Sequence, residues 1–292
     1  MKNVLKAVII DDGVYEGFLE IPMITQRLKI DDNGEIIRDD TSPYNSHGTQ
    51  VSSIIYKNYK EASFISIKVL DNEGSGEIDT LIAALTWCLK NDVELIHMSI
   101  GTSNYYDSFP LSKVIKKLVG KGVIIISAFD NYNTKSFPAC FPGIFGVRSG
   151  EKSQADDGQY SFDLDSGMPL ENSIIAFSST TYQANSFAAP IITAAIFRYL
   201  EDRKDYEFKG ILEYLKGNSI ISKRKLFDYH MFKDCKVDIP VIGVSSELVL
   251  EIEQYFSDEG YVSTCFSSST IPISYYTDGE IDNGLVYVLM KI

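Results

Sequence analysis

The chain is poor in the residues on which most metal, redox and nucleic-acid chemistry depends. Its 292 residues include only four cysteines and three histidines. Cys88, Cys140, Cys235 and Cys265 form no CxxC pair, and none stands at metal-ligand spacing from a histidine. A zinc or iron–sulfur site and a disulfide framework are therefore not expected, and buried thiols in a reducing cytoplasm are. No metal and no cofactor are anticipated. No apolar run approaches the ~20 residues of a membrane span. The opening MKNVLKAVIIDDG is interrupted by Lys6 and closed by two aspartates, so it lacks the apolar length and cleavage site of a secretory signal. Basic residues are outnumbered, 27 Lys and Arg against 40 Asp and Glu, for a net charge of −13. A phosphate backbone needs clustered cations, which argues against nucleic acid as a partner, whereas a cationic partner is compatible. Internal repeats and low-complexity tracts are also missing.

What remains is an ordinary globular composition, 45% hydrophobic and 23% charged. The length suits one large domain, or one of roughly 200 residues with an appendage. Short β-branched runs (KAVIID, SFISIKVL, VELIHMSI, GVIIISAF) alternate with helical patterns, as in a parallel sheet with crossover helices. In EIDTLIAALTWCLKN the apolar residues Ile78, Ile82, Leu85 and Leu89 recur at helical spacing, and PLSKVIKKLVGKG ends on a glycine suited to a C-cap. The expected fold is α/β, a doubly wound and mostly parallel sheet over residues 1–203. A helical connector is expected over 204–236 and a small α/β appendage over 237–292, where VDIPVIGVSSELVLEIEQYFSDEGYVST reads strand, Ser-capped helix, strand.

Three histidines make the search for a catalytic imidazole short. His97 lies within the apolar run ELIHMSI and reads as a packed core residue; His230 sits in the basic and aromatic connector and reads as solvated. His47, in NSHGTQVSSII, follows a turn-rich approach and opens an amphipathic helix. Asp11 ends the first strand, at the sheet edge where catalytic groups gather in doubly wound folds. An imidazole acting as a base needs such a carboxylate to fix its tautomer and stabilise its cation. Taken alone, Asp11 or Asp12 would be a turn residue or helix cap.

Three segments in order, DDG at 11–13, HGTQV at 47–51 and ANSFAAP at 184–190, resemble the three signatures of the subtilisin-like serine peptidases, the subtilases. The resemblance implies Asp11 as the orienting carboxylate, His47 as general base and acid, and Ser186 as nucleophile, with unpaired N–H groups of the following helix beside the reacting carbonyl. Asp12 takes the family's Ser or Thr position and is given no catalytic role. The resemblance extends to Gly74, Ser75 and Gly76 and to Ser99, Ile100 and Gly101, which would form the edges that take an extended peptide substrate as an added strand. For the oxyanion donor two alignments of IISAFDNYN remain open: one places Asn131 there, the other Asp130. In the first, Asp130 falls where relatives line the first specificity pocket, favouring Lys or Arg before the cut bond. The acidic run DDNGEIIRDD, with Asp31, Asp32, Glu35, Asp39 and Asp40, would add negative field near His47.

Two departures stand out. Ala184 and Asn185 replace the Gly and Thr that precede the nucleophile in the family, and alanine lacks glycine's conformational freedom. Ten residues precede Asp11, which leaves no room for an inhibitory propeptide and suggests a narrow-specificity cytoplasmic processing peptidase, for example one that removes a leader from a ribosomally made peptide. The C-terminal region would then bind substrate or a partner. The rival expectations are a catalytically silent subtilase fold that binds peptides, and a nucleotide-binding α/β protein; the latter lacks a phosphate-binding glycine motif, since EGSGE has no lysine context.

Overall fold

The computed structural model describes residues 5–16, 24–31, 33–41, 46–131, 136–150, 155–162, 173–178, 184–203 and 205–220, together with the backbone of three strands over 241–244, 261–267 and 285–291. By its contacts the chain forms two compact units, Met1–Asp163 with Leu170–Lys223, and Leu164–Pro169 with Arg224–Ile292.

In the first unit the elements run β1 (Lys6–Asp11), β2 (Ile24–Ile30), β3 (Ile36–Arg38), α1 (His47–Asn58), β4 (Ser63–Lys68), α2 (Ile78–Lys90), β5 (Leu95–Met98), α3 (Tyr105–Gly120), β6 (Ile124–Ala128), β7 (Ile144–Ser149), β8 (Tyr160–Phe162), β9 (Ser173–Ala176), α4 (Asn185–Arg203) and α5 (Phe208–Asn218). The strands form a nine-stranded sheet in the order β3-β2-β4-β1-β5-β6-β7-β9-β8. Every pairing from β2 to β9 is parallel, and β3 and β8 close the two edges antiparallel.

The central strands are buried along their length because helices cover both faces. Side chains alternate across the sheet. Ile9 and Ile126 join the core under α1, α4 and α5; Val8, Ile10 and Ile125 join the core under α2 and α3. The middle of α4, residues 188–197, is buried on every side and almost wholly apolar, as suits an enclosed stretch of helix. Ile192, Ile196, Phe197 and Leu200 on it are each buried, a contribution of about 1.5–3 kcal/mol apiece.

The four strands and helices α2 and α4 anticipated from sequence are present, with instructive shifts. The buried stripe of α2 centres on Leu81, Ala84, Leu85 and Cys88, with Ile78, Ile82 and Leu89 flanking it. α3 begins at Tyr105, five residues ahead of Pro110, because the Asn104 side chain caps it by accepting from Tyr106 N at 3.1 Å. Its end is as expected: Gly122 adopts φ +81° and donates to Val119 O at 2.9 Å. α5, read from sequence as part of a connector, lies in the first unit, where Ile211 and Leu215 are buried with α4 and Phe208 stacks on Phe145 at 4.5 Å.

The chain leaves β4 on one side of β1 and returns as β5 on the other. Such a switch point opens a crevice beyond the carboxyl ends of the strands. In the second unit β10 (Val241–Val244), β11 (Tyr261–Ser267) and β12 (Leu285–Lys291) form an antiparallel sheet in the order β10-β12-β11. The helix anticipated between β10 and β11 lies outside the described residues, as do His230 and Cys235.

Candidate active site

The first strand and the first helix meet backbone to backbone. Gly13 adopts φ +106°, a left-handed conformation that suits glycine, and a Cβ on Gly48 would stand 2.4 Å from Gly13 O. These two glycines let α1 start against the end of β1. The start itself is capped twice: Ser46 Oγ accepts from Thr49 N at 2.9 Å, and the Asp12 carboxylate accepts from His47 N and Gly48 N, each at 2.8 Å. Free N–H groups at a helix start favour an anion there, which explains an aspartate at this position. Asp12 thus orients the helix that carries His47. Burial, with the neighbouring charge of Asp11, raises its pKa against the lowering effect of those two hydrogen bonds and of His47.

The imidazole of His47 is thereby laid against Asp11. Its Nδ1 stands 3.0 Å from both Oδ1 and Oδ2 of Asp11, a residue with no solvent exposure whose Oδ1 also accepts from Asp12 N. A carboxylate at Nδ1 selects the tautomer with its hydrogen there and leaves the lone pair on Nε2. Burial pulls the imidazole pKa down, but the hydrogen bond and charge of Asp11 and the charge of Asp12 outweigh it, so the net direction is upward.

Ser186 is the second residue of α4 and lines the same cleft as His47. Phe187 packs its ring 5.4 Å from the imidazole. One of the two substitutions before Ser186 has a structural answer. Asn185 is buried and acts as a clamp: its Oδ1 accepts from Ser149 N at 2.7 Å, and its Nδ2 donates to the carbonyls of Phe129 and Asp130. Its backbone N–H donates to Asn131 Oδ1 at 2.9 Å. The ends of β6 and β7 are thereby tied to the residue preceding Ser186.

A cleft of about 680 Å³ contains Asp12, His47, Ser186, Asp130 and Asn131 in its lining. Gly74, Ser75 and Gly76 and Ser99, Ile100 and Gly101 also line it, so both expected peptide-binding edges face the same space. The model of the subtilase family matches residues 7–216. The chain belongs to the subtilase family. This subtilase is 29% identical over 190 residues to the major intracellular serine protease of Bacillus subtilis (strain 168), a match covering 57% of the chain and 58% of that relative. It spans little more than half the length of the curated relatives it matches. Among solved structures it resembles a cold-adapted subtilisin-like serine proteinase (21% identity, TM-score 0.58, 77% of this chain and 84% of that one). It also resembles a prenylagaramide maturation protease (15%, TM-score 0.53, 72% and 81%). At these identities the structural likeness speaks for the fold.

Within the acidic run upstream of His47, Asp39 is withdrawn from solvent while Glu35 and Asp40 stay exposed. Asp39 is 2% exposed and accepts from Tyr15 Oη, Thr41 N and Thr41 Oγ1, with Arg27 at 3.8 Å. Asp40 pairs with Arg38, and Asp31 closes a local turn onto Asn33 and Glu35; Asp32 lies outside the described residues. His97 is fully buried, as expected of a core histidine. Cys88 and Cys140 are buried thiols, and Cys140 Sγ donates to Ser136 O at 2.9 Å. Among the described residues no helix is long and apolar enough to cross a membrane. A helix-cap role was open to Asp12 from its type, but which helix it caps, and Asn185 as clamp, were not foreseen, because both roles rest on backbone groups far away in sequence.

Proposed function

We propose that the chain is a serine endopeptidase working through an acyl-enzyme on Ser186. The observation that carries this reading is the Asp11–His47 pair, at 3.0 Å, with His47 lining one cleft with Ser186. His47 Nε2 takes the Ser186 hydroxyl proton as Oγ attacks the scissile carbonyl carbon, while Asp11 stabilises the imidazolium. The oxyanion is met by Asn131 rather than Asp130. Asn131 Oδ1 is already held by Asn185 N, which leaves Nδ2 as the donor, whereas an ionised Asp130 would repel the developing charge. As the C–N bond breaks, the imidazolium protonates the leaving amine. A water deprotonated by His47 then attacks the ester, and the acid leaves as Ser186 regains its proton.

The substrate is an extended peptide taken as a strand between Gly74–Gly76 and Ser99–Gly101. A basic residue before the cut is favoured: Asp12, Glu77, Asp107 and Asp130 line the cleft and, among the described residues, no Lys or Arg does. A narrow role in peptide maturation, such as leader removal inside the cell, fits this acidic cleft, the buried thiols and the intracellular serine protease among the relatives. The C-terminal region, 237–292, would serve to engage substrate or partner.

A fluorophosphonate probe tests the central claim. Stoichiometric labelling that vanishes in Ser186→Ala is expected, and absence of labelling in the folded wild type would leave the silent peptide-binding fold as the better account.

A further inference from the structure

Four residues of the centre form a closed circuit that the reaction does not itself require. Pro190 follows Ser186 by four positions in α4. In an α-helix the carbonyl of residue i accepts from the N–H of residue i+4, and proline has none, so the Ser186 carbonyl loses its partner within the helix. Ser99 supplies the missing donor from the end of β5, its Oγ donating to Ser186 O at 3.0 Å.

Donor counting then fixes the rest. A serine hydroxyl has one hydrogen, and Ser99 gives it to Ser186 O. Ser99 Oγ must therefore accept from His97 Nε2, which lies 2.9 Å away. The neutral ring then carries its hydrogen on Nε2 and a lone pair on Nδ1. That lone pair accepts from Thr193 Oγ1 at 2.7 Å, a better-placed partner for the threonine than Ala189 O at 3.5 Å. Thr193 lies two turns along α4 from Ser186, so the circuit leaves the helix at Thr193 and returns to it at the nucleophile. His97 and Ser99 can act together because residues two apart on a strand share a face. His97 pairs in register with Ile9 and Ile126, both in the core beneath α4. Burial, with a smaller contribution from the charge of His47, pushes the His97 pKa down to about 3, which keeps the ring neutral across the working range.

We propose that His97 is a positioning residue for the nucleophile: held neutral as the Nε2–H tautomer, it locks the Ser99 hydroxyl onto the Ser186 carbonyl that Pro190 leaves unpaired, and so fixes the first turn of α4. This rests on Ser186 being the nucleophile. A second imidazole close to the centre is thereby assigned no proton-transfer role.

The experiment has two arms. In folded protein, nitrogen-detected NMR of the histidine rings reads the tautomer directly and does not depend on hydrolysis. An Nε2–H resonance for His97 that fails to titrate between pH 5 and 9 is expected; an Nδ1–H tautomer, or titration in that range, overturns the proposal. The second arm compares His97→Leu, His97→Gln and Ser99→Ala, each checked for native unfolding behaviour. Misplacing a reacting group by about 1 Å costs on the order of 100-fold, so His97→Leu and Ser99→Ala are expected to lower kcat and the fluorophosphonate labelling rate by roughly 10- to 100-fold, with KM little changed. His97→Gln keeps a donor at the position of Nε2 and is expected to restore part of the rate. A folded His97→Leu protein that labels at the wild-type rate, or a Gln variant no better than Leu, refutes the idea. Failure of the wild type to label at all would strike the peptidase reading instead, with the tautomer measurement still deciding the circuit.

Discussion

Replacing Asn185 by alanine separates two consequences of one side chain. The carboxamide satisfies the Ser149 N–H and two carbonyls, those of Phe129 and Asp130, from a position only 7% exposed. Leaving a buried backbone group unpaired costs about 1–3 kcal/mol. Water from the adjacent cleft can reach part of the vacated space, so the total falls near the lower end, about 2–4 kcal/mol. For a domain of this size that lowers Tm by roughly 4–16 °C, at about 2–4 °C per kcal/mol. The second consequence is catalytic. Asn131 follows the two anchored carbonyls and is held by the backbone N–H of Asn185, so a loosened segment misdirects its Nδ2. Loss of an oxyanion donor costs ~10²- to 10³-fold in kcat, and Asn185→Ala is expected to cost a substantial part of that. The assay is a double-mutant cycle with Asn131→Ala, reading kcat and Tm in parallel. In the Asn131→Ala background, Asn185→Ala should still lower Tm by the same amount yet reduce kcat little further. Fully additive losses in kcat, or a fallen Tm with unchanged kcat in the single variant, would refute the reasoning.

Other perturbations read other parts of the centre. The raised pKa of His47 means that kcat/KM climbs with pH through a value above 6.5, since the base works only when neutral; Asp12→Ser removes one of the charges that raise it, and the acidic limb of the profile should move to lower pH. Gly48→Ala would place a methyl group 2.4 Å from Gly13 O, and it is expected to destabilise the fold by about 1–3 kcal/mol and to depress activity by parting His47 from Asp11, as urea unfolding and probe labelling would reveal. With peptides carrying Lys, Leu or Glu before the cut bond, Asp130→Gly should reduce the preference for Lys; an unchanged ranking would remove Asp130 from specificity.

The centre was unevenly legible in the sequence. Asp11, His47 and Ser186 stand in short motifs whose neighbours are local requirements: the left-handed Gly13, the closely packed Gly48, the small residues that let α4 enter the core. The parallel sheet was legible for the same reason, since strands buried on both faces read as unbroken β-branched runs. β2, with its mixed exposure, and β8, three residues long, carry no such signature. The start of α3 was misplaced because a proline inside the helix resembled its beginning, while the Asn104 cap depended on how the loop turned.

The sequence by itself determined the family, the order of the catalytic motifs and the two-sided burial of the central strands, because each rests on residues near one another in the chain. Tertiary structure alone decided what Asp12, Asn185 and His97 do. Asp12 meets the N–H groups of a helix start 35 residues away, Asn185 ties the ends of two strands, and His97 faces a threonine 96 positions on. Hydrogen-bonding capacity can be read from a residue's type, but its partner is chosen only when the sheet and the helix that covers it come together.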